Sequence, residues 1–367
     1  MDFDLSQSQR LLQDSARDLL RRECPLTKVR ELMASETGVD AGLWSALVEQ
    51  GWTGMTLPES VGGLELEFVD LALVAEEMGR ACLPTPFFST FWAASLLSSG
   101  GSDEQRRRLL EPLASGEKTA AVAWLEKGGG WCPGSIRAAA KKEGGKVLLT
   151  GKKHFVVDGA AADWIVCVAR LGDDLALACV EKGAKGLSVR PTPAMDETRK
   201  AAELTFESVA AAETLVVPRA AVERANDLAA VFLCAELVGS MQWMMDASVE
   251  YAKTRQQFNQ PIGSFQGAQH QCADMLMLTE SARSAAYFAA WALTVDDPAA
   301  TRAAAVAKAY CSEAAREVGN RACQVHGGIG FTWEHDLHLY YKRTKSSEVL
   351  LGDPTYHRER TAKLVLD

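Results

Sequence analysis

The chain has 367 residues, 47% of them hydrophobic and 24% charged, with a formal net charge of -9. That length exceeds the usual size of one hydrophobic core and predicts two or three packed units, while the composition excludes a disordered or collagen-like chain. The negative charge comes without a block of like charges, which excludes a nucleic-acid-binding stripe.

The start MDFDLSQSQR is acidic and polar, unlike a signal peptide. From Ser6 to about Gly116 the pattern is helical: Leu11, Leu12, Ala16, Leu19 and Leu20 recur at helical spacing, as do Leu71, Leu73, Val74 and Met78. Breaks fall at Pro25, Gly51 to Gly63 and Pro84 to Pro86. The basic run Arg106-Arg107-Arg108 reads as a solvated helix face. Residues 1–116 are therefore expected to form an N-terminal helical domain.

Residues 117–217 change texture to short β-rich runs, KVLLTG, HFVV, DWIVCVA, LALACV and LSVRP, separated by Gly, Asp and Lys turns. They predict a middle antiparallel β domain. From residue 218 onward longer helices are expected at about 222–254, 265–294 and 299–326, then shorter ones near 334–348 and 355–365, forming a C-terminal four-helix bundle domain. The fold class is α+β, mostly α, in the order helices, sheet, helices.

No apolar stretch is expected to reach the roughly 18 residues needed to cross a bilayer, so the reading gives a cytoplasmic protein without a membrane partner. Nine cysteines stand singly, with no CxxC and no matching histidine spacing. Most of them read as buried thiols, with no metal site and no disulfide frame.

Two stretches carry chemistry: YAKTRQQFNQPIGSFQGAQH at 251–270 and QVHGGIGFTWEHD at 324–336. An arginine at a helix end and main-chain N–H groups beside paired glycines suit a pyrophosphate, although each alone also fits a plain helix terminus. Together with GWTGMTLPESVGGL at 51–64, GKKHFVVDGAAADWIVCVAR at 151–170 and KRTKSSEVLLGDPTYHRER at 342–360, they make nearly the whole chain resemble the acyl-CoA dehydrogenase family.

The resemblance implies FAD as cofactor and a CoA thioester as substrate, with an electron-transfer flavoprotein as possible acceptor. It also implies that Arg255, Phe258, Gln324, Gly327 and Gly328 reach the pyrophosphate and adenosine of an FAD held by a neighbouring subunit. Asn259 stands where the family usually has Gly, and Asn tolerates the left-handed backbone that such a turn needs.

Other positions depart from the family pattern. The usual catalytic carboxylate corresponds to Leu351, before Gly352, and its second known location to Ala229. Neither can act as a base. Glu236 is the nearest substitute, about 10 Å further along the helix face from Ala229, with a salt-bridged glutamate as the alternative reading; Glu348 and Asp353 flank the usual position. Leu125 and Val157 stand where the family places two threonines that hydrogen-bond the flavin ring.

The pattern implies the smaller subunit of a heteromeric acyl-CoA dehydrogenase that completes an FAD site shared with a homologous partner. The alternatives are a self-sufficient homo-oligomeric enzyme with Glu236 as relocated base and a non-catalytic acyl-CoA binder or scaffold. The segment LPTPFFSTFWAAS at 83–95 falls where the family lines its acyl pocket, and Phe87, Phe88, Phe91 and Trp92 could either wall that pocket or belong to the core.

Overall fold

Ser6 opens the first helix with a reciprocal capping box: its Oγ accepts from Gln9 N at 3.2 Å and its own N donates to Gln9 Oε1 at 3.1 Å, which satisfies two otherwise orphaned donors. The structure is a computed structural model that describes residues 5–366; Met1–Asp4 of the acidic start lie outside the described residues.

In chain order the elements begin with α1 (Gln7–Glu23), α2 (Leu26–Ala34), α3 (Ala41–Glu49), α4 (Phe68–Arg80), α5 (Phe87–Leu97) and α6 (Asp103–Ala114). Strands follow: β1 (Ala120–Ala123), β2 (Ala139–Glu143), β3 (Lys146–Val157), β4 (Trp164–Leu171), β5 (Asp174–Glu181), β6 (Leu187–Thr192), β7 (Ala201–Ala210) and β8 (Glu213–Val217). Then come α7 (Arg219–Thr254), a small hairpin of β9 (Gln256–Gln257) and β10 (Gln260–Pro261), α8 (Gln266–Thr294), α9 (Ala300–His326), α10 (Leu337–Val349) and α11 (Pro354–Leu366).

The chain packs as two compact units, one gathering the residues up to Arg30, Phe68–Leu83 and the residues from Ala230 on, the other Glu31–Glu67 and Pro84–Ala229. The helices of the first 116 residues thus distribute over both.

In the first unit α4 and α7 cross at backbone contact. A Cβ on Gly239 would stand 1.8 Å from Glu76 O, and one on Gly79 would stand 1.9 Å from Glu236 O, so both positions exclude any side chain. Close approach recurs where α8 meets α9, because Ala282, Ala286, Ala289 and Ala290 on one and Ala304, Ala307, Ala314 and Ala315 on the other are all buried. Small residues let the helix backbones pack at short range.

α7 corrects one expectation. It is long and apolar enough to cross a membrane by length and composition, with a mean hydropathy of 1.5 over its most apolar window. However, 83% of that window is buried inside the protein, as for a central core helix.

In the second unit the strands run β6-β7-β3-β2-β4-β5-β8, with β1 added on β4. The sheet is largely antiparallel as the runs predict, but β1–β4 and β2–β4 pair in parallel. Leu149, Ile165, Cys167, Ala178, Val180, Leu204, Phe206 and Val209 form its core. α5 is tied to the sheet by Ser89 Oγ, which donates to Asp158 Oδ2 at 2.6 Å, and by Thr90 Oγ1, which accepts from Ala120 N at 3.1 Å.

Candidate functional site

The end of α7 turns sharply into the β9–β10 hairpin. Arg255 N donates to Tyr251 O at 2.8 Å, Ile262 N donates to Arg255 O at 2.8 Å, and the two hairpin residues Phe258 and Asn259 take positive φ values of 53° and 64°. Asn259 thus adopts the left-handed conformation its side-chain type tolerates. Phe258 stands 86% exposed and meets Phe265 edge-on at 6.0 Å. Among the described residues the exposed Arg255 guanidinium has no ion-pair partner.

The second stretch lies at the end of α9. Gly327 ends that helix with φ 63° and ψ -140°, a conformation reserved for glycine, and a Cβ on Gly327 or Gly328 would meet nothing within 4 Å. Gln324, one turn earlier, is exposed.

The ring of Tyr251 stacks on His326 with centroids 4.6 Å apart and planes 24° apart, which brings the two stretches together. His326 Nδ1 lies 2.8 Å from Ala322 O, and its buried Nε2 has no partner. Burial pushes this imidazole down from its ordinary value, so it stays neutral near pH 7. The following loop is held by Arg30, which donates to Asp336 Oδ1 and to Trp333 O, each at 2.8 Å.

The loop after α10 is locked from two sides. Leu351 has φ 61° and Gly352 φ 108°. Lys308, fully buried, donates from Nζ to Ser347 O at 3.0 Å, Glu348 O at 3.0 Å and Gly352 O at 3.1 Å, and lies 3.1 Å from Ser312 Oγ. It satisfies the orphaned carbonyls at the helix end, where a cation is favoured; burial still pushes its ammonium down to about 8. From the other side His357 Nε2 donates to Leu351 O at 2.9 Å. The flanking carboxylates have structural partners. Glu348 pairs with Arg316 at 2.6 Å and Lys345 at 2.8 Å, and Asp353 accepts from Tyr356 N at 2.8 Å at the start of α11.

Glu236 lies at the α4–α7 crossing, buried, with its carboxylate 4.0 Å from Arg343 Nη1. Arg343 in turn donates through both terminal nitrogens to Leu83 O, each at 3.2 Å.

In the second unit Leu125 O accepts from His154 N at 2.8 Å, joining the segment after β1 to β3. The next residue, Glu126, accepts from Arg137 N, Ala138 N and Lys153 Nζ at 2.7–3.1 Å, while Lys153, fully buried, also reaches Trp124 O and Val168 O. Burial raises the Glu126 pKa, but the Lys153 contact and the N–H donors more than offset it, so the carboxyl is held below its ordinary value. β3 bulges between Lys153 and Val156, which throws Phe155 into the exposed, positive-φ position beside Val157.

Three domain profiles match along the chain: acyl-CoA dehydrogenase N-terminal domain at residues 6–117, middle domain at 121–209 and C-terminal domain at 219–366. The acyl-CoA dehydrogenase IpdE2 of Mycolicibacterium smegmatis is 33% identical over 98% of this chain and 98% of its own length. The chain belongs to the acyl-CoA dehydrogenase family. Among solved structures, a chain of the ChsE4-ChsE5 complex from Mycobacterium tuberculosis superposes with a TM-score of 0.92 at 26% identity, covering 100% of this chain and 99% of that one. A chain from the structure reported for the electron transferring flavoprotein of Acidaminococcus fermentans gives a TM-score of 0.92 at 27% identity with 100% of both chains covered.

The family consists of FAD-dependent oxidoreductases that act on acyl-CoA thioesters in lipid metabolism. The turn described above fits part of that cofactor: an exposed guanidinium with no ion-pair partner among the described residues, an exposed amide and two glycines with open space lie close in sequence to one stacked ring pair. Sequence reasoning did not single out Tyr251, His326, Lys308, His357 or Phe155. His326 was the most findable of these, since it directly precedes the Gly-Gly pair.

Proposed function

We propose that this chain is the smaller subunit of a heteromeric acyl-CoA dehydrogenase and completes an FAD site shared with a homologous partner. The observation that carries this reading is the Tyr251–His326 stack, which gathers Arg255 and the open Gly327-Gly328 turn at one exposed place. Arg255 would donate to the pyrophosphate, and the glycine turn would let main-chain N–H groups approach it. Phe258 and Gln324 would flank the adenosine. When bound, FAD would supply the hydride acceptor for oxidation of the CoA thioester.

The positions that would serve a flavin ring and a proton within this chain are chemically empty. Leu125 and Val157 have no side-chain donor, and Leu351 and Ala229 have no carboxylate. The Leu351 loop nevertheless keeps its Lys308 and His357 clamps, so what is missing there is the reactive group and not the scaffold. Glu236, held beside Arg343, we assign to the helix crossing and not to proton abstraction. The likeness to a chain of the ChsE4-ChsE5 complex supports a two-chain arrangement. The exposed rings of Phe258, Phe331 and Trp333 around the turn offer apolar surface for the partner to cover. An electron-transfer flavoprotein is the proposed acceptor and the cytoplasm the proposed location.

Flavin stoichiometry tests the reading. The chain purified alone should be nearly colourless, and the complex with its partner should hold about one FAD per pair of chains. One FAD per chain in the isolated protein, with acyl-CoA oxidation lost in Glu236→Gln, would establish the self-sufficient enzyme instead.

A further inference from the structure

Within the first unit the end of α1 and the last third of α7 each turn one face to a common cleft. Arg17, Leu20, Arg21 and Cys24 on one side, and Trp243, Asp246, Ala247 and Glu250 on the other, recur at three- and four-residue spacing and line it, with the end of α4 and Tyr340 of α10 completing the wall. The cleft has a volume of about 400 Å³, inside the range of about 300–1,000 Å³ that small-molecule sites occupy.

Its inner wall is apolar and fixed. Leu20, Cys24 and Tyr340 are buried there. Burial pushes the Cys24 thiol up to about 12, so it contributes neutral surface and no nucleophile. Trp243 lies flat on Tyr340 with ring centres 3.8 Å and planes 10° apart, and Tyr340 Oη donates to Arg80 O at 2.7 Å, which holds this aromatic side in place.

The charges of the cleft leave one cation over. Arg17 grips buried Glu77 with two donors, at 2.7 and 3.1 Å. Arg80 pairs with Asp246 at 2.6 Å, and Gln242 Nε2 donates to the other oxygen of that carboxylate at 2.9 Å. Glu250 pairs with Lys253 at 2.6 Å. All three carboxylates that line the cleft are thus neutralised, while Arg21, exposed at its rim, has no ion-pair partner among the described residues.

We propose that this cleft binds a small amphipathic monoanion, a free carboxylic acid whose apolar body lies against Leu20, Trp243 and Ala247 and whose carboxylate meets Arg21. Apolar walls with one placed polar group are the usual make-up of a ligand site, and a guanidinium suits a carboxylate through paired donors. The volume is too small for a whole CoA thioester, so the ligand is the free acid. Because every lining residue belongs to one unit of this chain, the site needs neither flavin nor partner and does not depend on the shared-site reading.

The test is a calorimetric titration of the full chain with octanoate, with 1-octanol and acetate as controls for charge and apolar body. Octanoate should bind saturably at one site per chain and at least about tenfold more tightly than either control. Arg21→Gln, an exposed change, should weaken octanoate by about tenfold or more, the loss of one charge-assisted contact, and Ala247→Phe should abolish binding by filling the cleft; circular dichroism verifies that both are folded. Absence of saturable octanoate binding by the wild type would overturn the proposal. So would equal affinity for 1-octanol, or binding that survives either substitution, which would place the acid elsewhere or remove the role of the charge. Loss of octanoate binding when a partner chain assembles on the protein would make the cleft a protein contact and overturn it as well. The isolated chain is titrated without FAD, so this outcome is distinguishable from a failure of the flavin stoichiometry test.

Discussion

Tyr251 and His326 stack with ring centres 4.6 Å apart, and this one contact joins the last turn of α7 to the last turn of α9. Each helix ends within a few residues of it in an irregular turn, at Phe258-Asn259 on one side and Gly327 on the other. Substituting Tyr251 by Leu should therefore loosen both turns together. An offset aromatic pair contributes about 0.5–1.5 kcal/mol beyond its area, so thermal unfolding should fall by that amount, and FAD retention in the complex should fall with it.

Gly327 has a backbone that side chains resist, while Gly328 lies in open space without a positive φ. Gly327→Ala should cost about 1–3 kcal/mol from strain at a sparsely populated conformation. Gly328→Ala should leave folding nearly unchanged. Denaturant melts of the two variants, compared with their flavin content, separate backbone strain from blocked access.

The α4–α7 crossing predicts a larger effect. A methyl at residue 239 would collide with Glu76 O and with Arg80 N, which belong to backbone and cannot rotate away. Gly239→Ala should destabilise the chain by about 3 kcal/mol or more, measured as a drop in the denaturant midpoint.

His357 supplies a pH dependence. Burial pushes its imidazole from 6.5 down to about 3, and its buried Nδ1 has no partner to receive an added proton. Because the folded-state value lies below the unfolded one, the stability tied to the neutral ring is present above about pH 6.5 and is lost as pH falls towards 3, on the order of 5 kcal/mol in full. Unfolding measured between pH 7 and 4 should show this loss in the wild type and a shallower slope in His357→Gln.

Much of the fold was legible because helical periodicity is strong in long amphipathic segments. α8 was expected at 265–294 and spans Gln266–Thr294; α9 was expected at 299–326 and spans Ala300–His326. KVLLTG and HFVV were read as separate runs, yet both belong to β3, because the bulge at Phe155 breaks the two-residue alternation without ending the strand. The membrane reading missed α7 because Glu236 interrupts its apolar run while doing little to lower the mean hydropathy of the helix. Lys308 and Lys153 were not legible at all: their partners are chiefly main-chain carbonyls, which leave no mark in a sequence. Nor could periodicity tell that α1 and α4 join the C-terminal helices in one unit while α3, α5 and α6 join the sheet in the other.

Arg255 is the residue on which nucleotide binding by this chain most directly depends. In the assembled complex, Arg255→Ala should weaken FAD binding by roughly ten- to a hundredfold, the equivalent of one charge-assisted hydrogen bond of about 1.5–3 kcal/mol, while the two chains still assemble. Equilibrium dialysis of FAD against wild-type and variant complexes measures it. An unchanged dissociation constant would mean that this chain does not grip the nucleotide and would contradict the shared-site account.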